Sequence, residues 1–242
     1  NGERISLTTN GESMASAIGI RNNGDVFVGG YYVNNHHYVI PCYWKNGNNR
    51  SNLPVPTGGD GEVYDITFDE TGNMRYYAGN TTKLDNFSGY PPKACYWRHT
   101  NRTDLPLGGS SMDIYGSYAN GITIDGDDVY LAGYTNRYEF YGEEETTGGD
   151  FPQYWKNSTI HDLEGGPMTG FGTGEAYDIR VANGNVIVVG IVTRGPNYDD
   201  SGESACYWLN GELHYLVDQY DVPEGLENWY ESEARGIFIV EN

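Results

Sequence analysis

The sequence predicts an all-β chain: a β-propeller of four-stranded antiparallel blades, with four full repeats and a partial fifth formed from the termini. Three observations predict it. An aromatic triplet recurs at Cys42-Tyr43-Trp44, Cys95-Tyr96-Trp97, Gln153-Tyr154-Trp155 and Cys206-Tyr207-Trp208, with its tryptophans 53, 58 and 53 residues apart. Each triplet is preceded by a strand-like run that ends in glycine: Val26 to Gly30, Arg75 to Gly79, Val129 to Gly133 and Val186 to Gly190. Ahead of each run apolar residues alternate at Ile18/Ile20, Ile66/Phe68, Ile122/Ile124 and Ile179/Val181, with a fifth copy at Ile237/Ile239.

Each repeat reads as three or four short strands. Strand one is the alternating segment, whose period of two buries one face. A tight turn follows at Asn23-Gly24, Thr71-Gly72, Asp125-Gly126 or Asn183-Gly184. Such pairs join antiparallel strands because their residues accept positive φ. Strand two is the run ending in glycine, strand three carries the Tyr-Trp, and strand four is clearest at Glu212 to Leu216. One such unit cannot bury both faces, so units stack, and the recurring Ile, Tyr and Trp fill the space between them. The repeats span residues 14–62, 63–117, 118–175 and 176–232 of a single domain. The terminal strands lie in 1–13 and 233–242, where Asn1 to Leu7 matches the fourth strand at Asn210 to Leu216.

Composition supports β-structure and limits function. The chain of 242 residues has 34 Gly and 22 Tyr, with 38% hydrophobic residues. It carries 14 basic against 34 acidic residues, a net charge of -20. Phosphate backbones and anionic lipid surfaces repel such a chain, which argues against nucleic acid as a partner. No apolar run is long enough for a membrane-spanning helix.

The segments Asp128-Val129-Tyr130-Leu131-Ala132-Gly133-Tyr134 and Ala205-Cys206-Tyr207-Trp208-Leu209-Asn210-Gly211 resemble the repeat of bacterial secreted and lipoprotein β-propellers. The resemblance covers nearly the whole chain. It implies export to the periplasm or cell surface and suggests no reaction. The third repeat departs from it with Gln153 in place of Cys, and the second with Arg98-His99-Thr100 in place of Lys-Asn-Gly.

Few residues suggest chemistry. Cys42, Cys95 and Cys206 hold the same position in different blades, too far apart to bridge, and read as core packing. No zinc spacing, nucleophile elbow, P-loop or dinucleotide fingerprint occurs. Asp65 and Asp178 share a slot one residue before the core Ile of strand one. They are the candidate catalytic pair, since glycosidases work with two carboxylates; the alternative is that they hydrogen-bond neighbouring strands. Asp125 and Asp127 resemble part of a calcium loop but lack its spacing, so calcium has weak support and no other cofactor is expected.

Binding potential falls on the long connections between strands two and three, at Tyr31, Tyr32, His37, Tyr90, Tyr138, Tyr141 and Tyr198. Tyrosines on such loops stack on sugar faces and hydrogen-bond hydroxyls. The sequence therefore points to a non-enzymatic extracellular binding module for a neutral glycan or a protein ligand. The alternatives are a glycoside-cleaving enzyme with channel carboxylates and a structural blade array of a larger surface protein.

Overall fold

The computed structural model describes residues 5–7, 11–47, 49–83, 91–108, 114–141, 145–165, 171–193, 203–216 and 232–238, except for the side chains of 138–141, 145–147 and 171–173. The described residues are strands and turns, without helix, so none of them forms a helix long and apolar enough to cross a membrane. The first sheet consists of β1 (Ser13–Ile20), β2 (Val26–Val33), β3 (Val39–Lys45) and β4 (Asn49–Asn52). The second is β5 (Gly59–Phe68), β6 (Arg75–Lys83), β7 (Lys93–Arg98) and β8 (Asn101–Asp104). The third is β9 (Ile114–Asp125), β10 (Asp128–Tyr141), β11 (Glu145–Lys156) and β12 (Thr159–Asp162). The fourth is β13 (Phe171–Ala182), β14 (Asn185–Thr193), β15 (Glu203–Leu209) and β16 (Glu212–Tyr215).

Each sheet is an antiparallel meander in chain order. A short parallel pairing of Gly148, Gly149 and Asp150 with Phe171, Gly172 and Thr173 also joins the third sheet to the fourth. The turns between strands one and two follow the predicted pattern only in part: at Asn23-Gly24, Thr71-Gly72 and Asp125-Gly126 the glycine alone has positive φ (85°, 69° and 58°). Asn183 and Gly184 both have positive φ (51° and 77°), as do Asn210 and Gly211 (53° and 92°).

The turn before strand four is pinned by its asparagine. Asn46, Asn157 and Asn210 each accept, through Oδ1, the amide of a valine at the start of strand two: Val26 (2.8 Å), Val129 (2.9 Å) and Val186 (2.9 Å). His99 takes this place in the second sheet, at φ 55°, and its Nδ1 is buried without a partner. Asparagine tolerates positive φ and restores the acceptor. His99→Asn should therefore stabilise the chain by about 1 kcal/mol, read as a higher urea midpoint at unchanged slope.

The core lies between the sheets rather than within them. Phe27 and Tyr43 of the first sheet pack with Val63, Tyr77 and Trp97 of the second. Tyr76 and Ala78 pack with Ile122, Leu131 and Trp155 of the third, and Tyr130 and Ala132 with Ile179, Val188 and Trp208 of the fourth. Leu53, Leu105 and Leu163, each following a fourth strand, are buried in the core of the next sheet. The indole N–H groups fasten the same joints. Trp97 donates to the Pro54 carbonyl (2.9 Å), Trp155 to Pro106 (3.1 Å) and Trp208 to Glu164 (2.8 Å). Cys42, Cys95 and Cys206 are buried thiols outside any disulfide, and burial pushes the Cys42 thiol up to about 12.

The terminal segments do not complete a strand ladder among the described residues. Residues 232–238 lie beside the fourth sheet, and Ile5 and Leu7 line the outer face of the first.

Candidate functional site

A β-bulge recurs in strand one of every sheet. The register slips at Ser16, Tyr64, Asn120 and Tyr177, each facing a glycine of strand two or its neighbour. A bulge leaves one residue unpaired and re-aims the side chains around it. It also brings the strand-one carbonyl against strand two. A Cβ on Gly30, Gly79, Gly133 or Gly190 would lie 1.8 to 2.0 Å from the carbonyl oxygen of Met14, Glu62, Tyr118 or Glu175. This close approach is the physical reason for the recurring glycine.

The bulges bring tyrosines and carboxylates near one another. Tyr118 and Tyr134 stack with ring centroids 4.9 Å apart. Tyr64 accepts from Asn80 Nδ2 at 3.0 Å, and Asp150 accepts from Asn136 Nδ2 at 2.8 Å. The Arg235 guanidinium sits 4.6 Å from the centre of the Tyr177 ring. All four tyrosines are half-buried. Their phenols are pushed up by burial first and by nearby acids second: Asp150, Glu62 and Glu175 all act on Tyr118. Burial and then the Asp150 charge push Glu175 up to about 7. The result is a half-buried, acidic cluster of tyrosines. It offers aromatic faces together with amide, phenol and carboxyl groups to hydrogen-bond a ligand.

The binding residues expected from sequence divide. Tyr31 reaches this neighbourhood: it is half-buried, and burial followed by Glu62 and Glu12 raises its phenol. Tyr32, on the other face of β2, lies under the Arg50 guanidinium (3.4 Å) and accepts from Asn52 Nδ2 (3.2 Å), so it is tied to its own sheet. His37 is exposed at φ 65° in the turn closed by Asn34 and Tyr38. Tyr138 and Tyr141 are on β10 with side chains outside the described residues, where Tyr90 and Tyr198 also lie.

Asp65 tethers β5 to β9, and Asp178 tethers β13 to residues 232–238. Asp65 accepts from the Ile66 amide (2.7 Å) and, across the joint, from the Ile122 amide (2.9 Å). Asp178 accepts from the amides of Ile179 (2.8 Å) and Ile237 (3.0 Å) and pairs with Arg180 Nη1 at 2.6 Å. Both oxygens of each carboxylate are held by backbone amides, one from the residue's own strand and one from the neighbouring segment. Asp125 and Asp127 flank Gly126 in the β9–β10 turn, and the described residues contain no group of three metal-ligating side chains able to hold an ion.

Glu62, Tyr64, Glu175 and Tyr177 were not among the residues singled out from sequence. Their signal is the segment Gly-Glu-x-Tyr-Asp-Ile, which occurs at 61–66 and again at 174–179. Tyr118, Tyr134 and Asp150 carry no such signature, and only the bulges bring them together.

Burial raises Asp65 to about 6 and Glu175 to about 7, and it also raises Asp60 and Asp150. Groups whose folded pKa is raised bind protons more tightly in the native state, so their contribution to stability is lost as pH rises through 6 to 7. Stability should therefore increase as pH falls from 8 to 5. Below about pH 4 it should fall again, as Asp25, held at about 2 by Lys45, and Asp128 are protonated. Thermal melts across this range check the sign, and Asp65→Asn should flatten the slope between pH 5 and 7.

No family model matches the chain, and no curated protein sequence matches it either.

Proposed function

We propose that the four sheets are blades of a β-propeller and that the protein is a non-enzymatic binding module, exported to the periplasm or cell surface. Its tyrosine cluster takes a neutral glycan or a protein ligand. The single observation that supports this reading most is the stacked Tyr118–Tyr134 pair, set among Tyr64, Asn80, Asn136 and Glu175. Half-buried aromatic faces beside amide and carboxyl groups suit sugar rings or the polar and aromatic side chains of a protein surface. The propeller reading draws on the sheet joints, since each core is built by two consecutive sheets and the same indole bond recurs at each joint. The export reading draws on the resemblance of the repeats to secreted propellers.

A neutral-glycan array and a pull-down from secreted proteins, followed by calorimetry on any ligand found, test the binding reading. Tyr134→Ala should weaken binding about 10-fold, the loss of one stacked ring. Glycosidic turnover by the unmodified chain, or binding that Tyr118→Ala and Tyr134→Ala both leave intact, would overturn it.

A further inference from the structure

The joints between sheets are of two kinds, and they alternate. In the first kind a proline of strand three faces a glycine of the next strand one. A Cβ on Gly61 would meet Pro41 Cγ at 3.1 Å, and one on Gly174 would meet Pro152 Cδ at 2.6 Å. In the second kind a serine replaces the glycine and an aspartate crosses the joint. Between the second and third sheets, Ser117 Oγ accepts from the Ala94 amide (2.9 Å), Ser117 N donates to the Pro92 carbonyl (2.8 Å), and Asp65 reaches the Ile122 amide. Residues 232–238 dock on the fourth sheet by the same set of bonds. Ser232 Oγ accepts from the Ala205 amide (2.9 Å), Ser232 N donates to the Glu203 carbonyl (3.0 Å), and Asp178 reaches the Ile237 amide (3.0 Å).

The sequence follows the same alternation. Ser-x-Ala-x-(Ala/Gly)-Ile-x-Ile occupies 13–20, 117–124 and 232–239, interleaved with Gly-Glu-x-Tyr-Asp-Ile at 61–66 and 174–179. The structural repeat is therefore a pair of sheets.

The first sheet carries the serine motif, yet its outer face is largely uncovered. Ile18, Ile20 and Met14 are 67%, 65% and 48% exposed, whereas Ile122 and Ile179, the counterparts of Ile18, are 1% and 0% exposed. Ile5, Leu7, Ala17, Ile18 and Val28 line a groove of about 700 Å³ there. Beside this face Trp44 is 1% exposed, and its Nε1 has no acceptor, although the other three strand-three tryptophans each donate to a carbonyl just past the fourth strand of the preceding sheet. A sheet that opens on Gly-Glu-x-Tyr-Asp-Ile and carries a leucine just after its fourth strand would fit the face. The fourth sheet is of that kind, and its Leu216 is 54% exposed.

We propose that the outer face of the first sheet is the docking site for the fourth sheet of a second copy of this chain. The chain's own ends carry the same groups as the incoming copy. Residues 232–239 repeat the motif of β1, and Leu7 stands where Leu216 of the second copy would enter. These ends leave Ile18, Ile20 and Leu216 exposed, whereas a whole sheet buries them, and this difference in apolar area drives the exchange. In a two-fold assembly each copy's first sheet meets the other copy's fourth sheet, so both contacts form together.

The test is light scattering on the full chain from micromolar to submillimolar concentration at physiological salt. The mass should approach twice 26.9 kDa. Ile18→Asp and Leu216→Asp alter exposed positions, so each should keep the native circular dichroism while weakening association at least ~10-fold. An equimolar mixture of the two variants should associate again, because one supplies an intact fourth sheet and the other an intact first sheet. A monomer at every concentration, association that either variant leaves intact, or a mixture no better than the variants alone would overturn the proposal.

Discussion

Replacing Gly133 with alanine should destabilise the chain by about 3 kcal/mol or more, a fall in Tm of about 6 to 12 °C for a chain of this size. The new Cβ would lie 1.8 Å from the Tyr118 carbonyl oxygen and 3.0 Å from Trp155 Cζ3. The carbonyl belongs to a bulge held on both sides by ladder hydrogen bonds, and the indole is fully buried. Neither can move aside without opening the joint between the second and third sheets. Gly126→Ala is the control: nothing lies within 4 Å of its Cβ position, and only the positive φ of 58° is strained. That variant should cost about 1 kcal/mol. Urea unfolding of the two proteins side by side checks the contrast.

Trp155→Ala should cost about 3 to 5 kcal/mol, the usual loss for truncating a buried tryptophan. Trp155 fills the joint beside Tyr76, Ala94 and Leu105 of the preceding repeat, and its N–H satisfies the Pro106 carbonyl. The phenylalanine variants separate these two roles. Trp155→Phe removes the hydrogen bond and should cost about 1 kcal/mol beyond its packing loss. Trp44→Phe removes an N–H that has no acceptor in the isolated chain, so it should lack that extra cost. Equal costs for the two phenylalanine variants would show that the indole bond contributes nothing to the joint.

The legibility of the sequence follows the range of the interactions involved. The hairpin turns were readable because Asn183-Gly184 and Asn210-Gly211 settle φ within two adjacent residues. The inward face of strand one is readable because Ile66, Ile122 and Ile179 each open a period-two alternation, and all three are buried, whereas Ile18 in the same slot is 67% exposed. The cysteines are readable as core because they share one slot of the repeat, and all three are buried outside any disulfide. Tyr32 and Tyr31 are adjacent and alike in sequence, yet opposite faces of one strand send the first to Arg50 and the second toward Glu62. The aligned slot of Asp65 and Asp178 was visible, but its purpose depends on the Ile122 and Ile237 amides, 57 and 59 residues away.

By itself the sequence determined an all-β chain made of four-stranded antiparallel repeats, because alternation, turn chemistry and glycine are local signals that each repeat restates. The tertiary structure alone decided where the tyrosines and acids meet and which groups each joint uses. Those outcomes depend on one-residue bulges and on contacts between neighbouring sheets, and neither leaves a mark within a single strand.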